Sequence, residues 1–254
     1  MTAVDSVRIL GVRVDDVTVD QALRIMEGYV ADGRPHHVVT VNPEFVMQAQ
    51  RDARFRVVLD EADLALPDGV GLIWASRVLG RPLRERVTGS DGLPRIARRS
   101  AEQGYRLFLL GAAPGVAERA AEILRRENPG LRIVGTYPGS PDPAEEDDLV
   151  ARVVEARPDC LFVAYGAPRQ DLWIHRNLHR LGVPVCMGVG GAFDYIAGVA
   201  PRAPEWMRDR GLEWLYRLAR QPWRWRRMLA LPQFVLRVLW EGRRQRTTAD
   251  RKRE

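Results

Sequence analysis

Residues 105–139, YRLFLLGAAPGVAERAAEILRRENPGLRIVGTYPG, decide the fold class. The apolar run YRLFLLGA is typical of a buried strand. The segment PGVAERAAEILRREN, which follows it, has helical periodicity, and LRIVGTYPG returns to a strand and a turn. A strand, a helix of about a dozen residues and a second strand form the repeating unit of parallel sheets.

The same alternation extends in both directions from this stretch. Upstream, RILGVRVDDV predicts a short strand pair, Asp20 is a candidate helix N-cap, and one helix is predicted from Pro43 to Ala62. The other predicted strands are HHVVTVN, DLALPDG, DCLFVAYG and VPVCMGVGG. We therefore predict an α/β fold over residues 1–205, with a Rossmann-like parallel sheet and helices on both faces.

The pattern changes after Ala203. Residues 206–241 hold five of the seven tryptophans and many arginines. We predict that this segment is a helical appendage, which Pro222 and Pro232 divide into short helices. Residues 242–254 are charged and lack aromatic side chains, so they predict a disordered basic tail. Because residues 201–254 carry 15 basic and 6 acidic side chains, they supply more than the whole net charge of +6. Such a segment favours an anionic partner: a phospholipid surface, a diphosphate or a nucleic acid.

Composition excludes several kinds of chemistry. The only lysine is Lys252, in the tail, so neither a pyridoxal Schiff base nor a Walker phosphate loop is expected. Phosphate recognition must then use arginine, backbone N–H groups or a metal. Cys160 and Cys186 each lie alone in an apolar, strand-like run. We therefore predict that both are free thiols in the core and that the protein works in a reducing compartment. The first ten residues do not resemble a signal peptide.

Polar residues collect where predicted strands end, which is where open parallel sheets bind ligands. Thr40 and Asn42 follow one strand, and Asp68, Gln170 and Asp194 follow others. At such a position Asp68 is suited to act as a general base, although a turn or cap role explains an Asp-Gly pair equally well. The glycines of GVGGAFD, including Gly190 and Gly191, indicate close approach of backbone to a ligand.

The residues alone leave several functions open. His175 and His179 are spaced like metal ligands, but a solvated helix face explains them better, and no required metal is predicted. A nucleotide-sugar-modifying enzyme fits the sheet but lacks a convincing dinucleotide fingerprint. A noncatalytic lipid- or RNA-binding module fits the Trp/Arg-rich segment, which can also simply dock on the core.

Seven motifs occur in order and resemble the WecG/TagA/CpsF family of glycosyltransferases, glycosyltransferase family 26, over about residues 8–240. They are TVNPEFVMQAQ, LPDGVGLIWASRVLG, ERVTGSD, FLLGAAPGVAERAA, VAYGAPRQDLWI, GVGGAFDYIAG and GLEWLYRLARQPWRWRR. The resemblance implies a cytoplasmic, inverting and metal-independent hexosyltransferase without a cofactor, peripheral on the inner face of the plasma membrane. It implies transfer of an N-acetylmannosamine-type sugar, or a related hexose or uronic acid, from a UDP-sugar to a polyprenyl-diphosphate-linked sugar. The resemblance further implies a product that belongs to wall teichoic acid or surface polysaccharide.

The resemblance also assigns roles. Asp68 is expected to be the catalytic base. The expected ligands of the substrates are Thr40, Asn42, Arg86, Gln170, Gly190, Gly191 and Asp194. Arg217, Arg224 and Arg227 are expected to close over the donor and neutralise the leaving diphosphate. The family usually has Pro-Lys-Gln-Glu where this chain has Pro168, Arg169, Gln170 and Asp171, so charge is kept at both changed positions. An anionic membrane surface is an expected partner and nucleic acid is not, while self-association stays open.

Overall fold

The computed structural model describes residues 4–204, 206–207, 210, 212–220 and 225–250. Side chains at positions 213, 217, 226, 227 and 246–250 lie outside this description. The chain begins with an antiparallel hairpin of β1 (Ser6–Ile9) and β2 (Val12–Asp15), as the sequence predicts.

Six parallel strands of the described chain form the main sheet, in the order β4-β3-β8-β7-β5-β6. They are β3 (His36–Val41), β4 (Leu64–Pro67), β5 (Arg106–Gly111), β6 (Arg132–Tyr137), β7 (Cys160–Ala164) and β8 (Val185–Gly188). The predicted α/β class with a parallel sheet is confirmed.

Helices cover both faces of this sheet. They are α1 (Val19–Asp32), α2 (Pro43–Ala49), α3 (Ala53–Glu61), α4 (Val70–Val78), α5 (Gly89–Gln103), α6 (Val116–Glu127), α7 (Glu146–Ala156), α8 (Arg169–Leu181) and α9 (Ala192–Ile196), with a 3₁₀ turn at Pro143–Glu145. Buried side chains of α1, α5, α6 and α9 share one apolar cluster, whereas those of α2, α3, α7 and α8 belong to clusters on the opposite face.

The strands alternate between these two faces. In β3, Val38 belongs to the first cluster and Val39 and Val41 to the second, because successive side chains of a strand point to opposite sides. Cys160 and Cys186 are both buried and free, as predicted for core thiols.

Two local predictions are wrong in detail. Thr18, not Asp20, caps α1, because its hydroxyl accepts from the Gln21 N–H while the Gln21 side chain reaches back in a capping box. The helix predicted from Pro43 to Ala62 is two helices. It breaks before α3 because Asp52 takes an extended conformation and accepts from two backbone N–H groups of the next turn.

The C-terminal region contains α10 (Glu213–Arg220), α11 (Trp225–Met228) and α12 (Ala230–Asp250). Phe234 and Val238 of α12 are buried in the cluster formed by the hairpin, α2 and α4, so this helix is anchored to the core. Because α12 continues to Asp250, most of the tail for which composition predicts disorder is helical here. No helix in the described residues is both long enough and apolar enough to cross a membrane.

Candidate active site

The carboxyl ends of β3 and β8 lie at the place where open parallel sheets commonly bind ligands. These strands are neighbours, but the chain leaves β3 into α2 on one face and leaves β8 towards α9 on the other. Neighbouring connections that diverge in this way open a cleft at the sheet edge. The end of β4 lies on the other side of β3.

Asp68 follows β4 directly at this edge. Its backbone N–H donates to the carbonyl oxygen of Val41, the last residue of β3, at 2.7 Å. Gly69 comes next with φ of 105°, a conformation that favours glycine, and leads into α4. The Asp68 side chain is half-buried, so a carboxylate at the sheet edge remains within reach of solvent and substrate.

Thr40 is buried on the β3 strand one residue before its end. A Cβ built on Gly89, at the start of α5, would lie 3.4 Å from the Thr40 methyl group and 3.8 Å from its hydroxyl. It would also lie 3.7 Å from the Cα of Val189, after β8. The start of α5 and the segment after β8 therefore both lie close to the end of β3 at Thr40, which the sequence had already placed at a strand end.

Asn42 has a structural role in addition to the predicted one. Its side-chain oxygen accepts from the N–H of Phe45 at 3.0 Å, and this hydrogen bond caps α2. The amide nitrogen is the part of Asn42 that a ligand can use, and its contact with a sugar remains a prediction.

Arg86 belongs to an ionic cluster that sequence reasoning found only in part. The N–H of Val87 donates to the carbonyl of Pro67 at 2.8 Å, which holds this segment beside the end of β4. Burial alone would raise the pKa of the Asp91 carboxyl, but the Thr88 hydroxyl, Arg202 and Arg86 together hold it below its usual value.

The sequence did not single out Arg202 and Asp91, the ion pair beside Arg86. The Arg202 guanidinium pairs with Asp91 and donates to the Ser90 hydroxyl at 3.3 Å, which ties the chain entering the C-terminal region to the first turn of α5. Asp91 ends the ERVTGSD motif, but the sequence does not indicate its pairing with Arg202, which lies 111 positions further along the chain.

Gln170 lies in the first turn of α8 and is buried, with an exposed fraction of 2%. Its side-chain oxygen accepts from the N–H of Gly190 at 3.0 Å, so α8 is tied to the turn after β8. Two predicted site residues are thereby in direct contact.

Beneath this contact lies a buried acid–imidazole pair, His37 and Asp171, which the sequence reasoning also missed. The His37 Nε2 atom is 3.9 Å from Asp171 Oδ1, and both residues are almost completely excluded from solvent. Burial raises the pKa of the Asp171 carboxyl to about 7 and lowers the pKa of the His37 imidazole to about 3.

Gly191 and Asp194 form the open end of the turn after β8. A Cβ built on Gly191 would lie 3.6 Å from a carboxylate oxygen of Asp194. The backbone carbonyl of Asp194 accepts from the N–H groups of Val199 and Ala200, at 2.9 and 3.1 Å, which closes the turn behind it. The Asp194 carboxylate is thus held close to the exposed Gly191.

The three arginines predicted to meet the diphosphate are not among the described side chains. Arg224 and the side chains of Arg217 and Arg227 lie outside the described residues. His175, by contrast, pairs with Glu61 at 2.8 Å on the surface between α8 and α3, in agreement with its interpretation as part of a solvated helix face.

A cavity of about 350 Å³ lies between segments that adjoin Asn42 and Gln170 in sequence. Its walls come from the segment after Asn42, the segment before Gln170 and the start of α12. The lining is Glu44, Phe45, Met47, Gln48, Arg51, Phe55, Ala167, Pro168, Leu229, Ala230 and Gln233. The lining therefore mixes apolar side chains with charged and amide ones, and it reaches the C-terminal region.

Known proteins resemble the chain over most of its length. Residues 7–248 match the sequence profile described as the Glycosyl transferase WecG/TagA/CpsF family. A protein of Bacillus spizizenii and one of Bacillus subtilis are each 36% identical over 211 residues, covering 83% of this chain and 81% of theirs. A Staphylococcus aureus protein is 30% identical over 234 residues, or 91% of both chains. All three are named N-acetylglucosaminyldiphosphoundecaprenol N-acetyl-beta-D-mannosaminyltransferase.

Proposed function

Because the chain belongs to the WecG/TagA/CpsF family and is therefore a glycosyltransferase, we propose that it transfers N-acetylmannosamine from a UDP-sugar to N-acetylglucosaminyl-diphosphoundecaprenol. The names of the relatives support this acceptor and this sugar. The observation that carries the proposal is the position of Asp68. This carboxylate follows β4 directly, and its backbone is tied to the end of β3, beside the cleft between β3 and β8.

In the proposed reaction Asp68 removes a proton from an acceptor hydroxyl. That oxygen attacks the anomeric carbon of the donor from the face opposite UDP, the bond to the diphosphate breaks, and the configuration inverts. A single displacement needs one base, whereas a retaining double displacement needs a second carboxylate beside the same carbon. Thr40, Asn42 and Asp194 are proposed to orient the two sugars from neighbouring strand ends.

We propose that arginine side chains, and no metal ion, offset the charge that develops on the leaving UDP. Arg86 lies beside the end of β4, and Arg217, Arg224 and Arg227 are assigned here from their motif. Guanidinium groups form paired, charge-assisted hydrogen bonds with phosphate oxygens. The chain has no internal lysine, so arginine is its cation for this purpose.

The protein is further proposed to lie on an anionic membrane surface, where its lipid-linked acceptor resides. Large apolar side chains of the C-terminal region are exposed, including Trp225, Leu229, Leu236 and Trp240. The Arg244 guanidinium lies 4.5 Å from the centre of the Trp240 ring. Tryptophan and arginine side by side suit the depth at which lipid headgroups meet acyl chains.

The direct test is incubation of the purified protein with a panel of UDP-sugars and a short-chain N-acetylglucosaminyl-diphosphoprenol, followed by mass spectrometry. We expect a product heavier by one N-acetylhexosamine with UDP-N-acetylmannosamine, and a β linkage by NMR. Transfer from another UDP-sugar alone would correct the donor. The absence of transfer from every donor would refute the proposed activity.

A further inference from the structure

The Gln170 side chain already makes a hydrogen bond within the protein. It is 2% exposed, and its oxygen accepts the N–H of Gly190. A buried amide whose acceptor is already used is poorly placed to bind a sugar, yet it is well placed to fix the turn that carries Gly190 and Gly191. The question is then what fixes Gln170.

The answer lies across Gly188, the last residue of β8. A Cβ built on Gly188 would lie 2.5 Å from the Gln170 amide nitrogen and 2.6 Å from Asp171 Oδ1. The amide nitrogen and the carboxylate oxygen therefore approach the same point, which only a residue without a side chain leaves free. Both carboxylate oxygens of Asp171 are buried and have no hydrogen-bond partner of standard geometry among the described residues. The Gln170 amide nitrogen lies on the same side of Gly188, and Gln170 acts to lower the pKa of the Asp171 carboxyl, against the larger effect of burial, so its N–H₂ group is the donor we assign to this carboxylate.

His37 lies against the same carboxylate oxygen of Asp171. Its two ring nitrogens are buried and have no hydrogen-bond partner among the described residues, and Nε2 faces Asp171 Oδ1 at 3.9 Å. Burial favours a neutral carboxyl group beside a neutral imidazole. Whether or not the carboxyl holds a proton, it keeps an oxygen that can accept from Gln170.

Other titratable groups surround the pair without replacing these contacts. His175 of α8 lowers the pKa of His37 further, and His175 is itself paired with Glu61 of α3 at 2.8 Å. Asp63, before β4, accepts from the backbone N–H of His37 at 2.9 Å. The three atoms nearest to the Cβ built on Gly188 all belong to Gln170 and Asp171.

We propose that Asp171, supported by His37, is a positioning residue that orients the Gln170 amide and, through it, holds the Gly190–Gly191 turn in the shape that substrates require. This inference rests on the proposed function, because that turn belongs to the site only if the cleft binds substrates. Gln170 then acts through the turn and not by touching a sugar.

Exchanging the two groups tests the contact. Q170E and D171N should each lower kcat about ten- to a hundredfold, the scale expected when reacting groups are misplaced. Q170E places a second carboxylate beside that of Asp171, and the two like charges repel each other. D171N places an amide N–H₂ group beside the N–H₂ group of Gln170, so that two donors face each other. The double variant Q170E/D171N should recover most of the loss, because the new carboxylate can accept from Gly190 and from the new amide at position 171. A double variant no more active than Q170E would overturn the inference.

Amide hydrogen exchange of Gly190 provides a readout that requires no activity. Q170A should accelerate exchange of the Gly190 N–H at least tenfold, and the double variant should restore protection. N177D is the matched control: Asn177 is also a buried amide of α8, but its nitrogen donates to the Trp173 carbonyl at 3.1 Å. N177D should retain kcat and Gly190 protection even if it melts earlier. Unchanged Gly190 exchange in Q170A would refute the inference, whereas failure of transfer by the wild type alone would refute only the activity.

Discussion

The backbone N–H of Asp68 donates to the carbonyl oxygen of Val41 at 2.7 Å, which joins the residue after β4 to the last residue of β3. The main chain therefore fixes the position of Asp68, and its carboxylate is not required for this link. A substitution of the Asp68 side chain can therefore remove its carboxylate while the backbone hydrogen bond still holds the two strand ends together.

Asp68→Asn should abolish most transfer while leaving the fold intact. Loss of a general base lowers turnover typically 10²- to 10⁴-fold, and asparagine preserves the shape of the side chain. We expect a kcat reduced by at least two orders of magnitude, a melting temperature within about 2 °C of the wild type, and little change in UDP affinity by calorimetry.

The control for this variant is Asp60→Asn. Asp60 lies on α3, where it pairs with the largely exposed Arg8 and with Arg56. The Asp60→Asn variant loses the same charge as Asp68→Asn, but Asp60 does not lie at the carboxyl edge of the sheet. The transfer activity of this control should therefore stay at the wild-type level. Wild-type turnover by Asp68→Asn would exclude Asp68 as the base.

The fold was largely predictable because its signals are local. Apolar strands such as HHVV and LFLL alternate with amphipathic helices, and only a parallel sheet accommodates that order. The two wrong predictions concern helix starts, where a single capping side chain, and not the apolar periodicity, decides which residue begins the helix. Thr18 and Asp52 each satisfy backbone N–H groups at a helix start, which apolar periodicity does not register.

The candidate site was predictable only where a motif carries it. Asp68 and Gln170 each stand in a recognisable strand-end segment. His37 and Asp171 instead meet across 134 positions of sequence, and Arg202 reaches Asp91 across 111. Each of these residues has an ordinary local explanation, so their association required the three-dimensional fold.

Membrane binding should depend on the exposed side of α12. Leu236 and Trp240 are 68% and 61% exposed and lie four residues apart, on one side of the helix. The double variant Leu236→Ser/Trp240→Ser should lower binding to vesicles containing phosphatidylglycerol at least fivefold in a flotation assay, without loss of melting temperature.

Phe234 supplies the contrasting variant on the same helix. It is 1% exposed and packs in the core cluster, so Phe234→Ala should lower the free energy of unfolding by about 3–5 kcal/mol. Its vesicle binding, measured below its melting temperature, should be retained. Equal vesicle binding by the double serine variant and the wild type would refute this surface as the membrane contact.

Transfer should proceed without a divalent metal ion. If arginines neutralise the leaving UDP, then EDTA at millimolar concentration should leave kcat within about twofold of its value in added Mg²⁺, because no Lewis acid acts in the displacement. The measurement is UDP release after the protein has been treated with chelator and desalted. A loss of turnover that Mg²⁺ or Mn²⁺ restores would show that a metal is required.

The ion pair of Arg106 and Asp159 should make stability sensitive to acid. Arg106 donates to Asp159 from its backbone N–H at 2.7 Å and from its guanidinium at 2.9 and 3.1 Å, which links the start of β5 to the start of β7. Burial alone would raise the pKa of the Asp159 carboxyl, but these hydrogen bonds outweigh it and hold the pKa below its usual value.

A carboxyl whose pKa is lowered by folding stabilises the protein fully above its unfolded-state pKa of about 3.9, and this contribution is lost as pH falls through the lower folded-state value. Asp159→Asn should therefore cost about 1–2 kcal/mol at pH 7, since the pair is partly exposed, and much less near pH 2.5. Urea unfolding at both pH values measures this difference.

The control is Asp147→Asn, which removes the same charge from a side chain that is 90% exposed. It should lower the free energy of unfolding by less than about 0.5 kcal/mol at either pH. A cost for Asp159→Asn that is the same at pH 7 and pH 2.5 would show that the ionised carboxylate is not what stabilises this junction.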